Sequence, residues 1–483
     1  MMSVNGLGQS AAPRRILAVC CALFCAACGI SAAHSQSANP SSAVNPYFGS
    51  VTLKPATDQV IQLSLDDAIQ RGLTNNLGLK EAENAEKTIR GQQLQALQEF
   101  LPTITLTGDT GYYQHDLAAL GFKGSSLPPS LGVKFPAVTH DTLTEGQIHY
   151  DQILFSGPVI AGWKAAGAAT RVAHFAKMTA RGEVIQQVAS AYLHALASSS
   201  EVDNAKALEQ ADLVQLNHAH EQRVAGVGTS LDELRARVQY QTQQQATIVA
   251  QNEFDKDLIL LKREIGLDPG QKIVLTDQAP FSELTDQTPE ELRALAYKSR
   301  QDYQNLQNQV QELKAVHSAY RSQRYPTLSF SGNYGVQAIT TIGSHGVFSA
   351  VGTLSVPIFR EARIRGDIDA AQAQLKAANS QLDDLRSRID QQVRSALLDV
   401  SAARKLVDVA RSNVDLSTRA LSDQTERTNA GIDDTLPLVT AQAALANAQT
   451  SSVESIYQYN LSKLSLARAA GVLEQQYHYY LGK

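Results

Sequence analysis

Leu101-Pro102-Thr103-Ile104-Thr105-Leu106-Thr107-Gly108 is answered 224 positions later by Tyr325-Pro326-Thr327-Leu328-Ser329-Phe330-Ser331-Gly332. At the same offset, Ser64-Leu65-Asp66-Asp67 matches Thr288-Pro289-Glu290-Glu291. Each tetrad reads as a helix N-cap with an acidic residue at the third helical position, and Pro289 suits a first turn. The later parts match at a slightly shorter offset: Phe155 with Phe359 and Gly162 with Gly366, then Ala225-Gly226 with Ala430-Gly431 and Gly266 with Gly471. One insertion between the two candidate strands of the first copy, in 113–146 against 338–346, explains the change. The chain is therefore one unit written twice, and such internal repetition governs the fold.

Proline punctuation orders each copy. None occurs between Pro158 and Pro269 or between Pro357 and Pro437, and helix interiors exclude it. Gly226 and Gly228 break the first run and Gly431 the second. The expected pairs are 157–224 with 231–266 and 360–429 with 436–472. A helix of about 68 residues is about 100 Å long. The shorter expected helices, 64–98 and 288–322, are about half that. Leu382, Leu385, Ile389, Val393, Ala396, Val400, Ala403, Val407, Ala410 and Val414 follow three- and four-residue steps, a near-heptad seam.

The strand candidates alternate. Ile104, Leu106 and Tyr112 oppose Thr103, Thr105, Thr107 and Asp109; Leu328, Phe330, Tyr334 and Val336 oppose Thr327, Ser329, Ser331 and Asn333. Ile148, Tyr150 and Leu154 oppose Gln147, His149 and Asp151. Phe348, Ala350, Leu354, Val356 and Ile358 oppose Ser349, Thr353 and Ser355. Half-buried strands of a soluble sheet alternate in this way, and so do the strands of a membrane barrel. Three observations favour the barrel: an export signal, no other apolar helix of spanning length, and no other strands to complete a sandwich. Four strands cannot close a barrel in lipid, so several chains must pool them. Two chains give eight strands and a filled interior, three give twelve and a lumen.

The 483 residues carry a formal charge of −5, 43% hydrophobic and 18% charged residues, which argues against disorder and against nucleic-acid binding. All four cysteines, Cys20, Cys21, Cys25 and Cys28, lie in the apolar run that follows Arg14 and Arg15. That is an export signal, residues 1–35, with small-x-small cleavage patterns at Ser31–Ala33 and Ala33–Ser35. A retained anchor is the other reading of this run. Cys25-Ala26-Ala27-Cys28 resembles a lipobox, which makes Cys28 a candidate for lipidation. No phosphate loop, nucleophile elbow or HExxH motif is present, so no enzyme, cofactor or metal site is expected. His218 and His220, two apart on a helix, make a poor metal pair and read as exposed polar residues.

On these features the chain resembles the TolC family of outer-membrane efflux proteins over nearly all of 60–475. The stretch Ala430-Gly431-Ile432-Asp433-Asp434-Thr435-Leu436-Pro437-Leu438-Val439-Thr440-Ala441-Gln442 is similar to a turn common in members that serve RND-type pumps. The resemblance implies a mainly α protein with a membrane β-barrel: a homotrimer with a twelve-strand barrel on a long α-helical barrel. The unit helix–β-hairpin–long helix–helix occupies 36–283 (hairpin 101–155) and again 284–475 (hairpin 325–359), with a C-terminal tail at 476–483. It implies an outer-membrane channel carrying small molecules from a periplasmic adaptor and an inner-membrane transporter. A type I protein-secretion channel, or a secreted coiled-coil scaffold, is the alternative. The turns at 225–231 and 430–436, with Gly226, Thr229, Leu231, Gly431 and Thr435, would dock the adaptor. Relatives often ring the aperture with aspartates where this chain has Pro437 and Thr440, and often have Asn-Pro where it has Asn76-Leu77. Leu436 keeps an apolar aperture position. Asp433 and Asp434 either supply the displaced charge or are solvated turn and N-cap residues.

Overall fold

The computed structural model describes residues 42–51, 55–119, 121, 136–277, 281–285, 287–339, 343–430 and 435–482. The expected signal, Cys28, Gly431, Asp433, Asp434 and Lys483 lie outside these. The first half runs β1 (Ile61–Leu63), α1 (Leu65–Asn75), α2 (Leu77–Gln98), β2 (Thr103–Asp116), β3 (Val138–Phe155), α3 (Gly157–Val224) and α4 (Ser230–Ile265). After β4 (Ile273–Leu275) the order returns: α5 (Pro289–Ser299), α6 (Gln301–Ser322), β5 (Thr327–Ile339), β6 (Gly343–Ser355), α7 (Glu361–Asn429) and α8 (Thr435–Ala469). The stretch read as a tail falls largely within α9 (Leu473–Leu481), which buries Tyr477, Tyr480 and Leu481.

The two N-caps form as expected. Ser64 Oγ accepts from the Asp67 amide at 3.2 Å, and Thr288 Oγ1 from the Glu291 amide at 3.3 Å, with Glu291 returning the bond to the Thr288 amide. The helices they start, however, are not continuous over 64–98 and 288–322. Each breaks after eleven residues, at Asn76 and at Arg300, whose backbones are extended. Asn76 ends α1 and caps α2, its Oδ1 accepting from the Leu79 amide, while its Nδ2 donates to the Tyr47 carbonyl at 2.7 Å. The Leu77 amide is taken by the Gly49 carbonyl. Backbone groups released by the break are thus satisfied by the segment 45–51, as buried amides require. Gly78 follows because a Cβ there would sit 2.5 Å from the Tyr47 ring. At the second break, the Arg300 guanidinium binds Asp302 and the Ala469 carbonyl. The contacts with Tyr47 and Ala469 come from residues remote in sequence, so helical periodicity gives no notice of them.

At mid-height of the bundle, α1, α3, the ends of α4 and α8, and α9 pack around Val184, Ile185, Val188, Tyr192, Leu261, Ile265 and Tyr459. The Tyr192 hydroxyl donates to the Leu63 carbonyl at 3.0 Å and to Asp277 at 2.9 Å, and burial pushes its pKa up. β1 and β4 pair in parallel beside it, a small sheet that the sequence reading missed because three-residue strands carry no period. The seam expected on α7 is buried from Leu382 to Ala410, with Val414 half-buried.

The helices lie in a definite order. In the half nearer the strands it is α2–α3–α6–α7; in the far half it is α4–α3–α8–α7. The large sheet has the order β2–β3–β5–β6, all antiparallel. Every layer therefore ends on first-half elements at one side and on α7 or β6 at the other. No described helix is long and apolar enough to cross a membrane.

Candidate functional site: a two-faced sheet and a helical tip

Cross-strand register decides which side chains share a face of the sheet. Ile104 stands opposite Tyr150, Leu106 opposite Ile148, Ile148 opposite Tyr334 and Tyr334 opposite Phe348. These form one apolar face, and it is open: Leu106 is 78% exposed and Phe348 73%. The other face is polar and internally bonded. Gln147 donates to Glu145 at 2.8 Å, Asn333 to Gln147 at 2.5 Å and Gln337 to Glu145 at 2.7 Å. Thr107 Oγ1 lies 2.9 Å from His149 Nε2, and Ser349 bonds Asn333. A soluble sheet turns its apolar face to a core; here no other described element covers the apolar face, and the polar face is the satisfied one. Val356 and Ile358 lie beyond β6, contrary to the expected strand, because Pro357 has no amide to continue the ladder.

At fourteen residues β2 runs about 46 Å along its own axis, and tilted strands of that length cover a hydrocarbon core. The first hairpin closes across 117–137 and the second across 340–342, so the size difference inferred from the two offsets resides in that connection.

The far end of the bundle is the second site. α3 ends at Val224 and Gly226 takes φ +80°, a left-handed conformation that a side chain resists. Thr229 caps α4 and exchanges bonds with Asp232 in a capping box. Glu233 is buried and clamps the hairpin: His220 Nδ1 lies 3.0 Å from it, Arg237 donates at 3.2 Å and Arg223 also binds it. The His220 hydrogen bond, then the Arg223 charge, hold the Glu233 carboxyl below its usual range. His220 is thus exposed but engaged, while His218 is half-buried. Around this clamp the surface is apolar: Val224, Val227, Leu231 and Leu234 are all open to solvent.

Of the residues singled out from sequence, Gly226, Thr229 and Leu231 come together in this turn, and Thr435 and Leu436 open α8. The sequence reading missed the Glu233 clamp and two stripes of exposed apolar residues. One runs along α4 through Leu231, Leu234, Val238 and Val249, the other along α7 through Leu398, Leu406, Val409 and Leu416. Their helical spacing was a usable signal, since each helix has a second apolar stripe besides the one it buries.

A profile of the family described as outer membrane efflux protein matches residues 68–267 and 292–472. The alkaline protease secretion protein AprF of Pseudomonas aeruginosa is 25% identical over 314 residues, 61% of this chain and 62% of AprF. The outer membrane protein OprJ of the same organism is 24% identical over 265 residues, 52% of this chain and 53% of OprJ. The chain thus spans about half to three-fifths of the length of these curated relatives. The Campylobacter jejuni CmeC outer membrane channel superposes with a TM-score of 0.73 at 16% identity, over 92% of this chain and 94% of CmeC, a likeness of fold. With the profile matched on both sides of the 268–291 connection, in a molecule that sets a two-faced sheet over paired long helices, this chain belongs to the outer membrane efflux protein family.

Proposed function

We propose that three copies of this chain close into one conduit, a twelve-strand barrel in the outer membrane standing on a barrel of periplasmic helices. The observation that carries this is the pair of unfinished edges. Among the described residues β2 and β6 each have one unpaired edge, at opposite sides of the sheet, and an open strand edge in lipid leaves backbone groups without partners. In the far half of the bundle, the edge helices α4 and α7 present the two exposed apolar stripes. Opposite edges that complement one another make a head-to-tail interface, and such interfaces form rings when the rotation between copies closes. Twelve strands leave a lumen, which the polar face lines with Glu145, His149 and Asn333.

In this reading, small molecules pass from an inner-membrane transporter and periplasmic adaptor to the outside. The adaptor meets the tips at Gly226, Thr229, Leu231, Gly431 and Thr435, and the exposed apolar surface at Val227 and Leu231 supports this. Asp433, Asp434 and Leu436 surround the aperture. Residues 36–283 and 284–475 are the two structural repeats, and 1–35 is removed on export or leaves Cys28 as a lipid-bearing N-terminus. The similarity to AprF favours a second reading, protein secretion through the same conduit.

Because every cysteine lies between Cys20 and Cys28, the processed chain offers a clean background for cross-linking. Cysteine pairs that scan the α4 and α7 stripes should yield covalent dimers and trimers on oxidation. Native mass in mild detergent should give three copies. A monomer by mass with no cross-links at any pair would sink the proposal.

A further inference from the structure

A second feature lies above the tip, where the two halves of the chain meet. Asp212 of α3, Ala236 and Gln239 of α4, and Leu438 and Gln442 of α8 line a cavity of about 10 Å³, at the lower limit for one water. Asp212 is 3% exposed and Gln442 8%. Burial holds the Asp212 carboxyl above its usual range, with the Gln239 side chain opposing that shift. Gln442 Oε1 is buried, and among the described residues no donor reaches it. The rest of the lining bears no charge. Glu209 on α3 and Arg235 and Arg237 on α4 lie outside it, and α8 has no charged residue between Thr435 and Glu454.

An ionised carboxylate only accepts hydrogen bonds, whereas a protonated one carries an O–H donor. With Asp212 ionised, its carboxylate and Gln442 Oε1 are both acceptors in one lining, and Gln442 Oε1 has no donor among the described residues. With Asp212 protonated, the missing donor faces the cavity that Gln442 also lines. We propose that Asp212 takes up a proton in this packed arrangement and that the proton, shared with Gln442, fastens α8 of the second half onto the α3–α4 hairpin of the first.

The proton binds more tightly when the seam is packed than when water enters it, so by linkage acid favours the packed seam. Because the carboxyl is raised, the preference is complete below the ordinary carboxylate range. It is lost as pH rises through the raised value. If the channel reading above holds, on which the consequence for transport rests, acid keeps the two hairpins together at the tip and alkali lets them part.

The test uses the full chain purified in mild detergent. Amide-exchange protection of 436–448, corrected for the intrinsic pH dependence of exchange, should fall severalfold between about pH 5 and pH 8. Asp212→Asn keeps the shape, donates permanently and cannot titrate, so its seam should stay protected across that range. Wild-type protection that is flat with pH, or an Asp212→Asn profile that follows the wild type, overturns the proposal. Should the variant not fold, the wild-type exchange profile of 436–448 still decides. Absence of conductance with the exchange profile intact tells against the channel and leaves the latch standing.

Discussion

α3 and α7 are 68 and 69 residues long and occupy the same place in their halves, but they live in different surroundings. α3 is interior, packed on α2, α4, α6 and α8, and buries residues from Val159 to Ala219. α7 is an edge. It buries one seam, and its open faces carry ion pairs one turn apart, Asp384–Arg388, Asp390–Arg394 and Asp415–Arg419. Such exposed pairs are worth only a few tenths of a kcal/mol each. α7 also leaves four large aliphatic residues in the open. Duplicating a unit therefore does not duplicate its environment. The copy left at the edge keeps apolar surface that no described residue covers, and in the proposed trimer that surplus is where a neighbouring copy would pack.

The strongest way to break this contrast is to place the same charge on both helices. Leu193 on α3 is 3% exposed, so Leu193→Asp buries an unpaired carboxylate and should cost more than about 4 kcal/mol, read as loss of the cooperative thermal transition. A stable Leu193→Asp protein would mean that α3 is not interior.

The next effect is one of pH. Glu264, at the end of α4, is fully buried against α3, with Gln187 donating at 3.0 Å, and burial raises its pKa from 4.5 to about 8. The folded chain keeps this proton where the unfolded chain has lost it. Its stabilisation is therefore full below pH 4.5, falls as pH rises, and levels off above about pH 8. Melting temperatures should follow that course in the wild type and fall less steeply with pH in Glu264→Gln; an unchanged slope would place the titrating group elsewhere.

In the sheet, Leu106→Arg on the apolar face should cost roughly 2–4 kcal/mol near a bilayer midplane, against little for Thr105→Arg on the polar face, by refolding into lipid. Equal costs would erase the distinction between faces. At the tip, Thr229→Ala removes one cap and should lose about 1 kcal/mol, seen as faster amide exchange at 230–234. The smallest effect on stability sharpens the opening contrast. Leu398→Asp, about one repeat after Leu193 and 71% exposed, should change the melting of the isolated chain by no more than about 0.5 kcal/mol while abolishing assembly by native mass.

Much of the architecture can be read from local pattern. Proline-free runs, the glycine break at 226, the Ser64 and Thr288 caps and the period of Leu382 to Ala410 each depend on residues within a few positions of one another. So does the alternation that separates Leu106 from Thr105. The same locality gives the positions of the tip residues, since Gly226 and Thr229 act through their own backbone turn. Their part in docking does not follow from that geometry and stands as a proposal.

Tertiary structure alone decided the rest. The breaks at Asn76 and Arg300 depend on Tyr47 and Ala469; the parallel pairing of Ile61 with Ile273 spans the first half; and the cavity shared by Asp212 and Gln442 joins the two halves. Which copy of the long helix became interior was settled in the same way. A period records which face of a helix is apolar, but what covers that face is set by residues hundreds of positions away, and neither period nor composition carries that information.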